Sequence, residues 1–445
     1  MHKAHPQPLI SRRAGALQGA ITPPGDKSIS HRALMLGAVA SGATLISGLL
    51  EGADVLNTAA AMRALGASVV KQPGGVWRVT GCGGAFKEPA AMLDMGNSGT
   101  AARLLIGLVA TRPIACRFDG DASLRKRPMA RIMEPLVLMG ANFTSREGGR
   151  LPLAVIGARQ PRAITYRLPV ASAQVKSAIL FAALNAPGDT AIIEPAPTRD
   201  HSEIMLEQFG ASLNFWTETD GARRIILHGP AALTGQKITV PADPSSAAFP
   251  LVAALLCPGS AITLHNVGMN PRRTGLFTTL QEMGADLTLE PAAEVGGEER
   301  AAILARAGAL HGVDVPPERA PSMIDEYPIL AIAAACARGT TRMRGLGELR
   351  VKESDRLAMV AAGLQAAGVR VDIEGDDLIV HGSGAPPPGG CMVTTAMDHR
   401  IAMSFLVLGM AAQAPVTIDD GGFIDTSFPD FVTLMNRAGA DIAAL

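Results

Sequence analysis

Six times along the 445-residue chain a helix-like stretch ends in Gly, continues through a small or branched residue, and becomes a strand-like run. The glycines are Gly66, Gly140, Gly210, Gly284, Gly368 and Gly439, spaced 74, 70, 74, 84 and 71 residues apart. A repeat of this period names the folding unit. In each copy a polar turn leads into an apolar, small-residue helix. That helix stops at Ser41-Gly42, Arg112-Pro113, Pro187-Gly188, Pro258-Gly259, Arg338-Gly339 or Ala414-Pro415. Gly accepts the left-handed C-terminal turn, and Pro cannot continue the hydrogen-bond ladder. An alternating strand follows, as in Ala43-Thr44-Leu45-Ile46 or Ala261-Ile262-Thr263-Leu264. A second loop and helix then close the unit at the repeat glycine. The reading is an α/β chain of six β-α-β-α-β(β) units. It predicts two similar domains of three units each, with sheets outside and buried helices inside.

Composition narrows the function. Hydrophobic residues make up 48% of the chain but aromatics only 4%, so the cores must be built from Ala, Val, Leu, Ile and Met. The formal net charge is zero, which removes any bulk attraction to nucleic acid or an anionic membrane; an anion site must be local. Five cysteines (Cys82, Cys116, Cys257, Cys336, Cys391) include no C-x-x-C pair. That fits a reduced compartment without a disulfide framework or metal site. No uncharged apolar run reaches the roughly 18 residues of a membrane span. The basic stretch Met1 to Arg13 lacks the apolar core of a secretory signal. A cytoplasmic protein is expected, monomeric and without metal or cofactor.

In a repeat chain the shared positions fold it, and the deviations mark function. Before the first helix, the copies read Gly25-Asp26-Lys27-Ser28 with His31-Arg32; Gly96-Asn97-Ser98-Gly99-Thr100 with Arg103; Ala171-Ser172-Ala173-Gln174 with Lys176; Asp243-Pro244-Ser245-Ser246; Ser322-Met323-Ile324-Asp325-Glu326; and Asp398-His399-Arg400. Ser, Asp and Asn are ordinary N-caps. Lys27, Arg32 and Arg400 are not explained that way, because a cation at a helix N-terminus opposes the dipole. Lys27, Ser28 and Arg32 beside a Gly-containing turn read as an anion site.

The second helices are equally uneven. Copies one (Asp54 to Asn57) and six (Thr426 to Asp430) start blandly. Copy two carries Arg125-Lys126-Arg127-Pro128, readable as a solvated face or as a site, and copy three carries Thr198-Arg199-Asp200-His201. Copy five carries Lys352-Glu353-Ser354-Asp355-Arg356, where spacings of three and four would put Lys352, Glu353 and Arg356 on one side of a helix start. With Asp325 this offers two carboxylates and two cations, enough for acid–base chemistry on an anionic substrate. Copy four supplies no candidate. The longest spacing contains the charged stretch Pro291 to Arg300, read as a longer surface loop.

These segments resemble the 5-enolpyruvylshikimate-3-phosphate synthase family over nearly the whole chain. The resemblance rests on Pro24 to Ala33, Leu93 to Thr100, Gly120 to Pro128, Leu168 to Ser177, Val351 to Leu357, and Asp398-His399-Arg400, in order. It implies two domains of three βαβαββ units joined by a two-strand hinge, with the active site in the cleft between them. The domains would be residues 1–22 plus 240–445 and residues 23–239, with crossings near Thr22 and Thr239. It also implies transfer of the enolpyruvyl group of phosphoenolpyruvate to the 5-hydroxyl of shikimate 3-phosphate through a tetrahedral ketal, with neither metal nor covalent enzyme intermediate.

By the same resemblance, Lys27, Arg127, Arg356 and Arg400 would bind phosphoenolpyruvate, with Asn97, Gly99, Gln174 and His399 beside them. Lys27, Ser28, Arg32, Ser172, Ala173, Gln174, Arg199, Asp325 and Lys352 would hold shikimate 3-phosphate. Lys27 would serve both substrates and take part in catalysis. Asp325 would take the 5-hydroxyl proton. Glu353 would deliver and remove the C3 proton, a task for a carboxyl that can be protonated near neutral pH. Lys352 could share the acid role. Many members carry Lys where this chain has Thr426, so one phosphoenolpyruvate cation is missing or supplied from elsewhere. Gly99 stands where glyphosate-tolerant members place Ala, which implies inhibition by glyphosate.

Three other readings compete with this one. The sister transferase acting on UDP-N-acetylglucosamine uses a loop cysteine, but Cys116 sits in the strand-like run Ile114 to Phe118 and reads as buried. An RNA 3′-end-processing enzyme of related repeat fold conflicts with zero net charge and only two Trp and two Tyr. A repeat scaffold would not need Asp325, Lys352, Glu353 and Arg356 together.

Overall fold

A computed structural model of the chain describes residues 6–445. The basic opening stretch, read above for a leader, lies partly outside the described residues. All six repeat glycines take left-handed backbone angles, with φ between 79° and 113°. At each, the residue after the glycine donates its N–H to a carbonyl five residues back. Ala67 bonds Met62, Ala141 Leu136, Ala211 Leu206, Ala285 Leu280, Val369 Leu364 and Ala440 Met435, at 2.9–3.1 Å. This is the Schellman closure. A side chain forced into that conformation costs about 1–2 kcal/mol, so the glycine spacing is a physical property of the unit.

Among the described residues six four-stranded sheets result, all with one strand order. In copy two, Leu93–Asp94 pairs in parallel with Ala115–Asp119, which pairs antiparallel with Arg150–Ile156, which pairs with Asn142–Arg146. Copies three and five complete themselves in the same way. The other three borrow a strand. Copy one takes Lys237–Thr239 as its parallel strand. Copy four takes Gln18–Ile21. Copy six takes Leu9–Arg12 as its inner antiparallel strand. Each borrowed strand is distant in sequence from the copy it completes but belongs to the same unit.

Two units follow from the contacts. One is residues 6–24 with Pro241–Glu294 and Glu298–Leu445; the other is Gly25–Val240 with Val295–Gly297. They divide at Pro24/Gly25 and Val240/Pro241. In the second unit a Cβ on Gly25 would stand 1.9 Å from the Gly48 carbonyl oxygen, so only glycine fits there.

Each unit has its own core, and the two cores share no residue. The first helices are buried almost all round, as their apolar, small-residue composition demands. Pro244–Leu256 is buried from Pro244 through Leu255. Gly107 lets Gly99–Ala110 approach Ala173–Ala183 backbone to backbone, since a Cβ would meet the Ala178 oxygen at 2.3 Å. The second helices bury one face only. Ala130–Leu138 hides Ile132, Pro135 and Leu136 and leaves Val137 and Leu138 exposed.

The stretch Pro291 to Arg300, read as a surface loop, is instead part of a hairpin. Strands Asp286–Val295 and Glu298–Arg306 flank Gly296 and Gly297, both at positive φ. Two adjacent left-handed residues suit the twist of a two-residue hairpin turn. Among the described residues, no helix is long and apolar enough to cross a membrane.

Candidate active site

In the Gly25–Val240 unit, three first-helix starts are tied together by polar side chains. Asp26 caps Lys27–Val39 through Ile29 N at 2.9 Å, Ser98 caps Gly99–Ala110, and Ser172 caps Ala173–Ala183. The cap reading of these residues holds, and the cations next to them are separately employed. Lys27 is ion-paired with buried Asp54. Arg32, buried, donates from Nε to Ser202 Oγ at 2.8 Å, from Nη2 to Ser177 Oγ at 2.7 Å, and from Nη1 to the Ser28 carbonyl at 3.0 Å. It thus joins copy one to copy three.

Copies two and three meet at Gln174. Its Oε1 accepts from Arg103 Nη1 at 2.8 Å, and its Nε2 donates to Thr100 Oγ1 at 3.0 Å. Arg127, buried, donates from Nη2 to Asn97 Oδ1 at 2.7 Å and Ser123 Oγ at 3.0 Å. Asn97 in turn donates to Asp121 Oδ2 at 2.7 Å. Of the three cations before Pro128, Arg127 is therefore built in, whereas Arg125 pairs with Asp119 at the surface. A Cβ on Gly99 would stand 2.7 Å from Arg103 Nη1 and 3.2 Å from Arg127 Nη1. Arg199 is half-buried in the turn that precedes the helix His201–Gln208. Ala173 opens its helix.

Three partners here, Asp54, Glu194 and Glu203, escape the sequence reading. The start of copy one's second helix is not bland, because Asp54 is the partner of Lys27. An acidic residue in a first turn is what the dipole favours, so nothing in sequence distinguishes it. Lys176, wholly buried, holds Glu194 at 2.7 Å and Glu203 at 2.8 Å. Glu194 also accepts the Thr198 N–H at 2.7 Å, fixing the turn that carries Arg199.

In the unit holding copies four to six, Arg356 organises the site. It is fully buried and faces three carboxylates. Nε reaches Asp398 Oδ2 at 2.8 Å, Nη1 reaches Asp325 Oδ1 at 3.0 Å, and Nη2 reaches Glu353 Oε2 at 2.5 Å. Burial alone would lower its pKa, but the charges of Asp398, Glu353 and Asp325 outweigh burial and push it up. Lys352 Nζ stands 3.7 Å from Asp325 Oδ1. Arg400 Nη1 donates to the Asp325 carbonyl at 3.2 Å. His399 is buried at the start of His399–Ala411.

The helical spacing expected of Lys352, Glu353 and Arg356 is not the reason they meet. The helix begins only at Arg356, because Asp355 caps it through Ala358 N at 3.0 Å. Lys352 and Glu353 precede it, outside the helix, and Arg356 gathers Glu353 by direct ion pairing. Thr426 is buried and donates to the Phe423 carbonyl at 2.7 Å. Cys116 is buried in Ala115–Asp119, and burial, with Glu88 adding to it, pushes its thiol up to about 12. A thiol so raised is no nucleophile near neutral pH. Among the described residues no group of three or more His, Cys, Asp or Glu is arranged to hold a metal.

Two units of three βαβαββ repeats, with cations and carboxylates collected at helix starts, define an enolpyruvyl-transferase type of protein, and the comparisons agree. The family model for EPSP synthase (3-phosphoshikimate 1-carboxyvinyltransferase) matches residues 12–435. A 3-phosphoshikimate 1-carboxyvinyltransferase of Paramagnetospirillum magneticum is 63% identical over 98% of each chain. One from Granulibacter bethesdensis is 64% identical over 98% of this chain and 97% of its own. The solved EPSP synthase of Acinetobacter baumannii superposes with a TM-score of 0.85 at 44% identity, covering 98% of this chain and 100% of its own. The enolpyruvyl transferase NikO of Streptomyces tendae shares the fold at a TM-score of 0.76 and 18% identity, covering 99% of each chain. The chain belongs to the EPSP synthase family.

Proposed function

We propose that the protein transfers the enolpyruvyl group of phosphoenolpyruvate to the 5-hydroxyl of shikimate 3-phosphate, releasing phosphate, in the shikimate pathway of aromatic amino-acid biosynthesis. One observation carries the catalytic assignment: Arg356 gathers Asp325 and Glu353, with Lys352 within 3.7 Å of Asp325. Asp325 takes the 5-hydroxyl proton as that oxygen bonds to C2 of phosphoenolpyruvate, and Glu353 or Lys352 protonates C3. The tetrahedral ketal then loses phosphate as Glu353 removes a C3 proton and the alkene returns. Lys27, Arg127, Arg356 and Arg400 carry the donor's anionic groups, with Asn97, Gly99, Gln174 and His399 beside them. Lys27, Ser28, Arg32, Ser172, Ala173, Gln174, Arg199, Asp325 and Lys352 hold the acceptor. Fixed cations and helix-start dipoles suit two multiply charged substrates.

The two sets of residues serve one reaction, with the units acting as domains that close on both substrates. Closure excludes water and strengthens each charged contact. The protein works as a cytoplasmic monomer, and glyphosate inhibits it at the donor site. The test follows phosphate release from phosphoenolpyruvate with shikimate 3-phosphate, and with UDP-N-acetylglucosamine in a parallel reaction. Turnover with the first acceptor is expected; turnover only with the second overturns the assignment.

A further inference from the structure

We propose that Glu326, held by Ser245 and through it by Arg273, is a positioning residue for Arg400. Glu326 is buried and immediately precedes the helix Tyr327–Cys336, but its side chain caps nothing there. It is spent elsewhere: Glu326 Oε1 accepts the Ser245 hydroxyl and lies 3.6 Å from Arg400 Nη1. The serine's orientation is determined. Ser245 Oγ accepts from Arg273 Nη2 at 2.8 Å, so its single proton is directed at Glu326. Arg273 is buried and also donates to Asp243 Oδ1 at 3.0 Å, and Asp243 accepts the Ser245 N–H at 2.8 Å. The relay runs from copy four, where the sequence shows no candidate, through copy five to copy six.

The relay matters because of what else holds the guanidinium. The other contact of Arg400 Nη1 is the neutral carbonyl of Asp325 at 3.2 Å. Glu326 adds an ion pair at 3.6 Å on the same nitrogen, a charged contact that biases the arginine's direction. Burying such charges is weak support for stability, since a buried ion pair seldom outweighs its desolvation cost. Geometry at a ligand-binding arginine is the better account of it.

This inference rests on the reading that Arg400 binds phosphoenolpyruvate, and the test separates the two. The full chain is assayed with both substrates as wild type, Glu326→Gln and Arg400→Lys, with melting curves to confirm folding. Glu326→Gln keeps an oxygen for Ser245 and loses the charge. The KM for phosphoenolpyruvate should rise roughly five- to tenfold, the size of one net polar contact. The KM for shikimate 3-phosphate should stay put and kcat should fall less than KM rises, the pattern of lost ground-state binding. An unchanged donor KM in Glu326→Gln, beside a raised one in Arg400→Lys, overturns the positioning role alone. An unchanged donor KM in Arg400→Lys overturns the ligand role beneath it. If Glu326→Gln does not fold, Ser245→Ala replaces it. A smaller rise confined to the donor is then expected, and no rise overturns the proposal.

Discussion

Arg356 Nη1 lies 3.0 Å from Asp325 Oδ1, so the buried cation of the site is bonded to the carboxylate assigned the first proton transfer. Lys352 approaches the same oxygen at 3.7 Å. Both contacts fix the carboxylate's direction. Asp325→Asn keeps an oxygen for Arg356 but cannot accept a proton. We expect kcat to fall by about 10²–10⁴, the usual range for a general base, with little change in the binding of either substrate measured by calorimetry. Loss of binding with kcat preserved would show that Asp325 only holds the acceptor.

Glu353 meets Arg356 from the other side, with Oε2 at 2.5 Å from Nη2. Glu353→Gln preserves that contact and removes the titrating proton. Turnover should drop by orders of magnitude while both substrates still bind. Carried out in deuterium oxide, the wild-type reaction should place deuterium at C3 of the product. Near-normal turnover of the variant would remove Glu353 from the mechanism.

The two preceding residues illustrate what the sequence reveals and what it does not. The repeat glycines announce the fold because a left-handed helix end is a local requirement that glycine alone meets cheaply. All six Schellman closures can be located from sequence for that reason. Asp325 and Glu353 stand out as deviations from the other copies. Their meeting at Arg356 does not, because it depends on a helix that starts three residues after Glu353. Asp54 and Ser245 are invisible for the opposite reason. Both look like ordinary helix-start residues, and their partners, Lys27 and Glu326, come from other segments. Borrowed strands such as Leu9–Arg12 are equally non-local, since pairing across the whole chain leaves no trace in spacing.

Gly99 sits where an added methyl would press on Arg103 and Arg127, the far ends of two long side chains. Backbone strain is not at issue, because Gly99 has no positive φ. Gly99→Ala should therefore fold normally and shift the guanidinium groups by a few tenths of an ångström. The inhibition constant for glyphosate should rise clearly more than the KM for phosphoenolpyruvate. An unchanged inhibition constant would sink the placement of Gly99 at the donor site.

Cys116 offers a separate check on the chemistry. Its buried position and a thiol pushed up to about 12 leave no thiolate to act near neutral pH. Cys116→Ala should keep kcat and both KM values within about twofold, with at most a loss of about 1 kcal/mol in stability from the missing sulfur. A collapse of turnover in a folded variant would return the loop-cysteine reading to consideration.

His31 should make stability depend on pH. It is buried at copy one's first helix. Nδ1 lies 2.8 Å from Thr58 Oγ1, and Nε2 lies 3.3 Å from Ser98 Oγ. Thr58 spends its proton on the Asp54 carbonyl at 3.3 Å, so the network assigns the imidazole proton to Nδ1 and makes Nε2 the acceptor of the Ser98 hydroxyl. A second proton would oppose that bond. Burial first, then the charges of Lys27 and Arg32, hold the pKa of His31 well below the usual imidazole value. The unfolded chain therefore binds the proton first as pH falls. The contribution is fully present above about pH 6.5 and is lost as pH drops toward the depressed folded value, by at most about 1.4 kcal/mol per pH unit. His31→Asn keeps a donor and an acceptor without titrating. Denaturant unfolding measured between pH 7 and pH 5 should show a steeper loss for the wild type than for the variant. Parallel slopes would mean that His31 is not held neutral in the fold.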